Sequence, residues 1–387
     1  MSWEKVKLGD VCAWVTSGGT PLTSKPDYYS PKEIPWLKTQ EVNYCRIYQT
    51  NNHISKKGLE NSSAKLIPAN AVIVAMYGQG DTAGRVAINK IPLCTNQACC
   101  NLIIDENKAD YEFIYYNLCT LYDKLVSLKN GGAQPNLNAG LIKNLEISLP
   151  PLTTQKRIAD ILSAYDNLIE NNQKQIKLLE EAAQRLYKQW FIDLRFPGHE
   201  TTKIVDGLPE GWRKEIVGNL IKKVERPPQI EAKDYLLEGK IPVIDQSRNF
   251  IAGYTNNDDA IVKENCAVIV FGDHTRILKY IQFPFAKGAD GTQLIVSNNE
   301  CMPQSLFYCS LINVDLSNYH YARHFKYLKA EEIVVPDVQI ANKFDKLAKE
   351  FFAKIQNCRH QILSLQKSRD HLLPKLMCEN FVCNMGV

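Results

Sequence analysis

The sequence predicts a mixed α/β (α+β) chain in which two similar globular domains are separated by two long helices that pair as an antiparallel coiled coil. Three observations predict it. The chain is written twice, its short β-like runs are confined to the two copies, and each copy is followed by a long segment with apolar residues at helical spacing. The repeat opens with Trp3-Glu4-Lys5-Val6-Lys7-Leu8-Gly9-Asp10-Val11, which returns as Trp212-Arg213-Lys214-Glu215-Ile216-Val217-Gly218-Asn219-Leu220. Ile34-Pro35-Trp36-Leu37 returns as Ile241-Pro242-Val243-Ile244, and Ala71-Val72-Ile73-Val74 unchanged as Ala267-Val268-Ile269-Val270. Leu149-Pro150-Pro151-Leu152 returns as Val335-Pro336-Asp337-Val338. The offsets fall steadily, 209, 207, 196 and 186, so the second copy is the first shortened by 23 residues. A chain of two similar halves suits a target with two similar parts. The boundaries are 1–150 for the first globular domain, 151–195 for the first long helix, 196–336 for a linker and the second domain, and 337–387 for the second long helix and a tail.

In the first copy the expected strands are Ala71–Met76, Arg85–Ile88, Asn101–Ile104 and Leu145–Leu149. They are short, and Gly, Asn and Pro punctuate them, as in Gly78-Gln79-Gly80-Asp81 and Asn130-Gly131-Gly132. A helix is expected over Tyr111–Leu128. After Pro150-Pro151 the texture changes. Thr153 or Thr154 is a candidate helix cap, and neither Gly nor Pro recurs before Pro197. Ile161, Tyr165, Leu168, Ile176, Leu179, Ala183, Leu186 and Trp190 follow in threes and fours, with Asn172 at one stripe position and a stutter there. A helix of roughly 38 residues would be about 57 Å long. The second long helix, from about Gln339, repeats this stripe and its stutter 186 residues on, with Lys354 and Arg369 at positions where Leu168 and Ala183 stand. Pro374 is expected to kink or end it near Leu373. Matched stripes within one chain favour pairing of the two helices with each other, because their effective concentration is high. The first helix also carries apolar Leu162, Leu178 and Tyr187 off the main seam, which points to further helices from partner proteins.

The length of 387 residues suits two or three domains, and 45% hydrophobic residues are ample for their cores. A net charge of +4 permits nucleic-acid binding without arguing for it. The start, Met1-Ser2-Trp3-Glu4-Lys5, carries no apolar signal segment, so the expected compartment is cytoplasmic and the twelve cysteines reduced. No apolar run approaches the roughly 20 residues of a membrane helix. A metal site is not expected. No Cys-x-x-Cys pair occurs, adjacent Cys99 and Cys100 point apart in a strand, and His320 and His324 are joined by no further ligand pattern.

A spacer holding two similar readers suits duplex DNA, whose half-sites repeat on one face about every 34–36 Å. Four segments carry a resemblance that agrees. Leu149-Pro150-Pro151-Leu152-Thr153-Thr154-Gln155-Lys156-Arg157-Ile158-Ala159-Asp160-Ile161-Leu162 resembles the start of the central conserved helix of type I restriction–modification specificity subunits. Trp190-Phe191-Ile192-Asp193-Leu194-Arg195-Phe196-Pro197-Gly198 and Leu208-Pro209-Glu210-Gly211-Trp212 resemble its end and the return into the second domain. Gly132-Ala133-Gln134-Pro135-Asn136-Leu137-Asn138 resembles the segment closing the first target recognition domain. The resemblance implies a subunit without catalysis that binds a split DNA sequence, one part per recognition domain. It implies two modification subunits that methylate adenine with S-adenosylmethionine, and restriction subunits that use ATP and Mg. No cofactor is expected in this chain. Its own residues are consistent with that: neither an Asn-Pro-Pro-Tyr-type motif nor a Gly-x-x-x-x-Gly-Lys-Ser/Thr loop occurs, and Glu231-Ala232-Lys233 lacks the Pro-Asp pair of a nuclease site.

Base-reading residues are sought on loops with polar, reaching side chains. Gln79, Asp81, Thr82 and Arg85 follow the Ala71–Val74 run, and Gln134 and Asn136 lie further on. The matching point of the second copy carries Asp273, His274, Thr275 and Arg276. Arg323, His324 and Lys326 fall where the first copy has Gly131–Leu137, and Gln246 and Arg248 complete the set. Gln134-Pro135-Asn136 aligned with Arg323-His324-Phe325 offers different donors and acceptors, so the two half-sites are expected to differ. Two other readings compete. One is a two-lobed coiled-coil adaptor that binds proteins, the other an enzyme with divergent methyltransferase or nuclease motifs.

Overall fold

The repeat seen in the sequence is a repeat of hydrogen-bonding partners. Glu4–Lys7 pairs antiparallel with Glu146–Leu149, with Glu4 opposite Leu149. Arg213–Ile216 pairs with Glu332–Val335, with Arg213 opposite Val335. The same 209 and 186 residues separate these partners as separate the sequence matches. The computed structural model describes residues 3–129, 136–225, 227–319 and 323–379. It divides into two units, Met1–Glu170 with Ile362–Val387, and Asn171–Gln361.

In the first unit a five-stranded sheet runs in the order Cys12–Ser17, Cys99–Ile104, Val72–Ala75, Val86–Asn89, Cys45–Ile47. Val72–Ala75 is buried throughout because both of its faces meet a core. Val72 and Val74 pack towards the long-helix side, Ile73 and Ala75 towards the other. Adjacent Cys100 and Cys99 divide in the same way. A second, four-stranded sheet holds Ile34–Leu37 between Asn52–Ile54 and Leu93–Thr95, with Leu66–Ile67 at its edge. The second unit repeats both sheets in shorter form: Val268–Gly272 between Leu278–Ile281 and Thr292–Ile295, and Ile241–Ile244 between Gly253–Thr255 and Ala286–Lys287.

The pairing corrects one sequence match. Val72 lies opposite Leu102, and its counterpart opposite Ile295 is Ile269, an offset of 197. The identical tetrapeptides Ala71–Val74 and Ala267–Val270 are therefore one residue out of register. A slip of one reverses the faces of a strand, and the burial agrees: Ile269 and Phe271, not Val268 and Val270, share the core with the long helices. Because Val, Ile and Phe suit either buried face, an all-apolar strand carries no alternation from which the register could be read.

The first long helix spans Leu152–Tyr187 and continues as a π-helical turn over Lys188–Ile192; the second spans Val338–Leu376. Thr153 and Thr154 lie inside the first turn rather than at its cap. The helix start is fixed instead by Gln155, whose side chain donates to Pro150 O (2.8 Å) and accepts from Asp110 N (2.9 Å). The second helix has an ordinary cap: Asp337 accepts from the backbone of Gln339 and Ile340. Pro374 does not end it. Proline this near the C-terminus removes a single backbone bond, and Leu376, 1% exposed, anchors the last turn in the core of the first unit.

In each unit the two helices run antiparallel. In the first, Arg369 pairs with Asp166, which also accepts a 2.6 Å bond from Tyr116. In the second, Cys358 meets Gln175, Arg359 pairs with Glu180 (3.1 Å), and Phe344 lies edge-on to Tyr187. Ile176, Leu179 and Phe351 pack on the core of the second unit, while Tyr165, Ile362 and Leu365 are half-buried in the first. Leu168 departs from the expected stripe and is 51% exposed. Of the apolar residues expected to await partner helices, Leu162 and Tyr187 are covered by their own units and only Leu178 is exposed.

Candidate nucleic-acid interface

The turn after each central strand is built by side chains that bond back to the backbone. In the first unit, Thr82 is buried and donates through its hydroxyl to Gln79 O at 2.7 Å. Arg85 pairs with Asp81 and donates to Asn43 Oδ1 at 3.0 Å. The guanidinium holds the Asp81 carboxyl below the usual carboxylate range, and Tyr122 donates to Asp81 O at 3.0 Å. Gln79 is left exposed at the tip. Asn136 is exposed as well, whereas Gln134 lies outside the described residues. Beside this loop Tyr44 adopts a left-handed backbone (φ 51°), with its ring edge-on to Tyr122. Burial pushes the Tyr44 phenol up to about 12, so it remains a neutral donor.

In the second unit the candidates converge on one cluster. Asp273 is buried and its carboxylate accepts from Phe325 N at 2.7 Å, capping the helix Phe325–Leu328. Its carbonyl accepts from the backbone of His324 and faces His324 Nδ1 at 2.9 Å, while Nε2 faces Tyr319 O at 3.1 Å. Both ring nitrogens thus face carbonyl oxygens, which fixes the ring between Asp273 and Tyr319. Arg276, at φ 60°, donates to Tyr319 O. Gln246 is spent at both ends: its amide donates to Asp290 O (2.8 Å) and accepts from His274 N (3.0 Å). His274, Arg248, Arg323 and Lys326 project from this frame with exposed side chains.

The described candidates therefore fall into two kinds. Thr82, Asp81, Arg85, Gln246, Asp273, Arg276 and His324 bond back into the loops, whereas Gln79, Asn136, Arg248, His274, Arg323 and Lys326 present exposed surface. The structure also names residues that loop polarity did not reveal. Lys279, on the strand Leu278–Ile281, is buried and donates to the carbonyls of Asp245 and Asn249, holding the segment that carries Gln246 and Arg248. Burial pushes its ammonium down to about 8 against the opposing pull of Asp245. The only sequence signal was a lysine at an inward position of an apolar strand. Arg359, on the second long helix, lies 3.7 Å over the ring of Phe250 at the end of the same segment.

One expected alignment does not hold. Ala139 and Phe325 open the short helices on which the two segments end, an offset of 186. Matching Gln134 to Arg323 requires 189, so that correspondence is shifted by three residues. The two helices also differ in how they are capped: Asn138 accepts from Leu141 N of its own helix, whereas the equivalent helix is capped from Asp273.

Comparison with known proteins adds four findings. Residues 1–181 match the family described as type I restriction modification DNA specificity domain. The chain is 29% identical over 405 residues to the MjaIX type I restriction enzyme specificity subunit of Methanocaldococcus jannaschii, covering 97% of this chain and 92% of that one. It is 27% identical over 318 residues to a putative type I specificity subunit of Mycoplasma genitalium, covering 77% and 79%. Among solved structures, the S subunit of a type I restriction–modification system from M. genitalium shares the fold at a TM-score of 0.62 and 17% identity, covering 97% of this chain and 96% of that one.

Proposed function

We propose, from the premise that this chain belongs to the specificity subunits of type I restriction–modification systems, that it reads an asymmetric, two-part DNA target and brings adenine-methylating and restriction subunits to it. One observation carries the reading. The scaffold is duplicated down to the pairing of its strands, while the loops at equivalent places differ in their exposed polar groups. Duplicated scaffolds with divergent loops suit two half-sites of unlike sequence. In this reading exposed Gln79 in one unit, and His274, Arg248 and Arg323 in the other, meet base edges, and the tied residues position them.

The chain carries no chemistry of its own in this reading. Methyl transfer belongs to two modification subunits that hold S-adenosylmethionine, and ATP and Mg belong to the restriction subunits. Exposed Leu178 and Leu168 on the first long helix are apolar surface that such partners would cover. Among the described residues no helix is long and apolar enough to cross a membrane. A subunit that directs DNA modification works where the DNA is, and this reading places it in the cytoplasm. The test is a gel shift of the full-length chain on pooled duplexes, with and without the modification subunit of the same system. Salt-sensitive binding that the subunit sharpens onto a fraction of the pool is expected. Binding of protein partners with no DNA shift would favour an adaptor instead.

A further inference from the structure

The second unit has a groove of 630 Å³ beside the loop cluster just described, with Lys222, Lys223, Lys287 and Lys329 in its lining. Lys223 and Lys329 are exposed. Lys329 lies over the ring of Phe325, and Lys222 pairs with Glu264. Among the described residues of the lining, Glu225 is the one acid. The lining also carries the half-buried apolar residues Ile221, Val224 and Leu294. Two lining residues tie the groove to the loops. Thr292 lies opposite Gly272, the residue before Asp273, and Phe325 is the residue whose N–H Asp273 caps.

The fold does not require these lysines. The turn Val217–Leu220 before Lys222 and Lys223 repeats Leu8–Val11, after which the first copy has Ala13 and Trp14. Lys287 stands parallel to Ile244 as Thr95 stands to Leu37. Of the four, Lys329 alone has a basic counterpart, Lys143. The same scaffold is thus built without the cluster, and the charge is an addition specific to the second copy.

We propose that this groove takes the sugar–phosphate backbone of duplex DNA flanking the half-site read by the second unit. The proposal rests on the DNA-binding reading above. It gives the second unit a sequence-independent electrostatic grip that the first lacks at the equivalent place. Lysine ammoniums are point-charge phosphate partners that carry no sequence information. A lining that mixes lysines with apolar side chains suits a backbone of charged phosphates joined by less polar sugars.

The experiment measures the full-length chain binding a duplex of mixed sequence across a salt series, for wild type and for Lys223→Gln/Lys329→Gln. The slope of log affinity against log salt is expected to fall by about 0.9 for each phosphate no longer neutralised, or about 1.8 for the pair. The fall should be equal on mixed and target-bearing duplexes, with the methylated motif unchanged. Lys223→Arg/Lys329→Arg should keep the wild-type slope, and melting should be the same in all three proteins. An unchanged slope in the glutamine variant overturns the groove. Loss of modification-subunit binding with an unchanged slope also overturns it, in favour of an acidic protein surface. A wild-type chain with no salt-dependent binding would instead sink the DNA reading itself.

Discussion

Asp273 and His274 are neighbours with opposite employment. Asp273 closes a helix and joins two loops, whereas the His274 side chain is exposed. Asp273→Ala should lower stability by about 1–3 kcal/mol, from a missing cap and an unpaired buried N–H. His274→Ala should leave melting unchanged and weaken discrimination between target and mixed duplexes. Equal melting of the two variants in a thermal scan would contradict this division. Lys279 supplies a pH signature. The folded chain gives up its proton near pH 8, the unfolded chain near the ordinary lysine value of about 10.4. Between these values the unfolded state holds more protons, so this residue's contribution to stability rises with pH, and it is lost as pH falls back through 8. The difference in melting between wild type and Lys279→Met should therefore shift in favour of wild type from about pH 8 to about pH 10.4; parallel curves would remove the assignment. Loop polarity and the repeat mark the candidate loops in the sequence. They could not separate exposed side chains from tied ones, since Gln246 and Gln79 are alike until their bonding partners are known.

At the scale of elements, the long helices were legible and their faces only partly so. A stripe at threes and fours locates the buried side, but which edge of the stripe faces solvent depends on what each unit lays against it. Hence Leu168 is exposed where Leu162 is covered. The arginine that breaks the stripe of the second helix, Arg369, is explained by Asp166 opposite it. That carboxylate in turn accepts from Tyr116, fastening the helix end to the first unit. Ile176, packed on the core of the second unit, tests the element directly. Ile176→Asp places a charge among apolar neighbours and should cost roughly 1–3 kcal/mol. Unchanged melting together with unchanged complex assembly would show that this seam contributes nothing. The strands give the complementary lesson. Outer pairs such as Glu4–Lys7 with Glu146–Leu149 kept the register expected from sequence. The fully buried Val268–Gly272 did not, because a strand apolar on both faces looks the same after a slip of one residue.

For the whole molecule, the claim is that two copies of one unit read two different half-sites while the helices set the bases between them. Inserting four residues near Glu170–Lys177 adds about 6 Å of helix, close to two base pairs of rise. Such an insertion should change the spacer or abolish binding, and never change which bases are read. The central claim is tested most directly by replacing residues 1–150 with the matching domain of a related subunit and mapping the methylated motif across a genome. The account predicts a motif with one half exchanged and the other half and the spacer retained; a motif altered in both halves would contradict it.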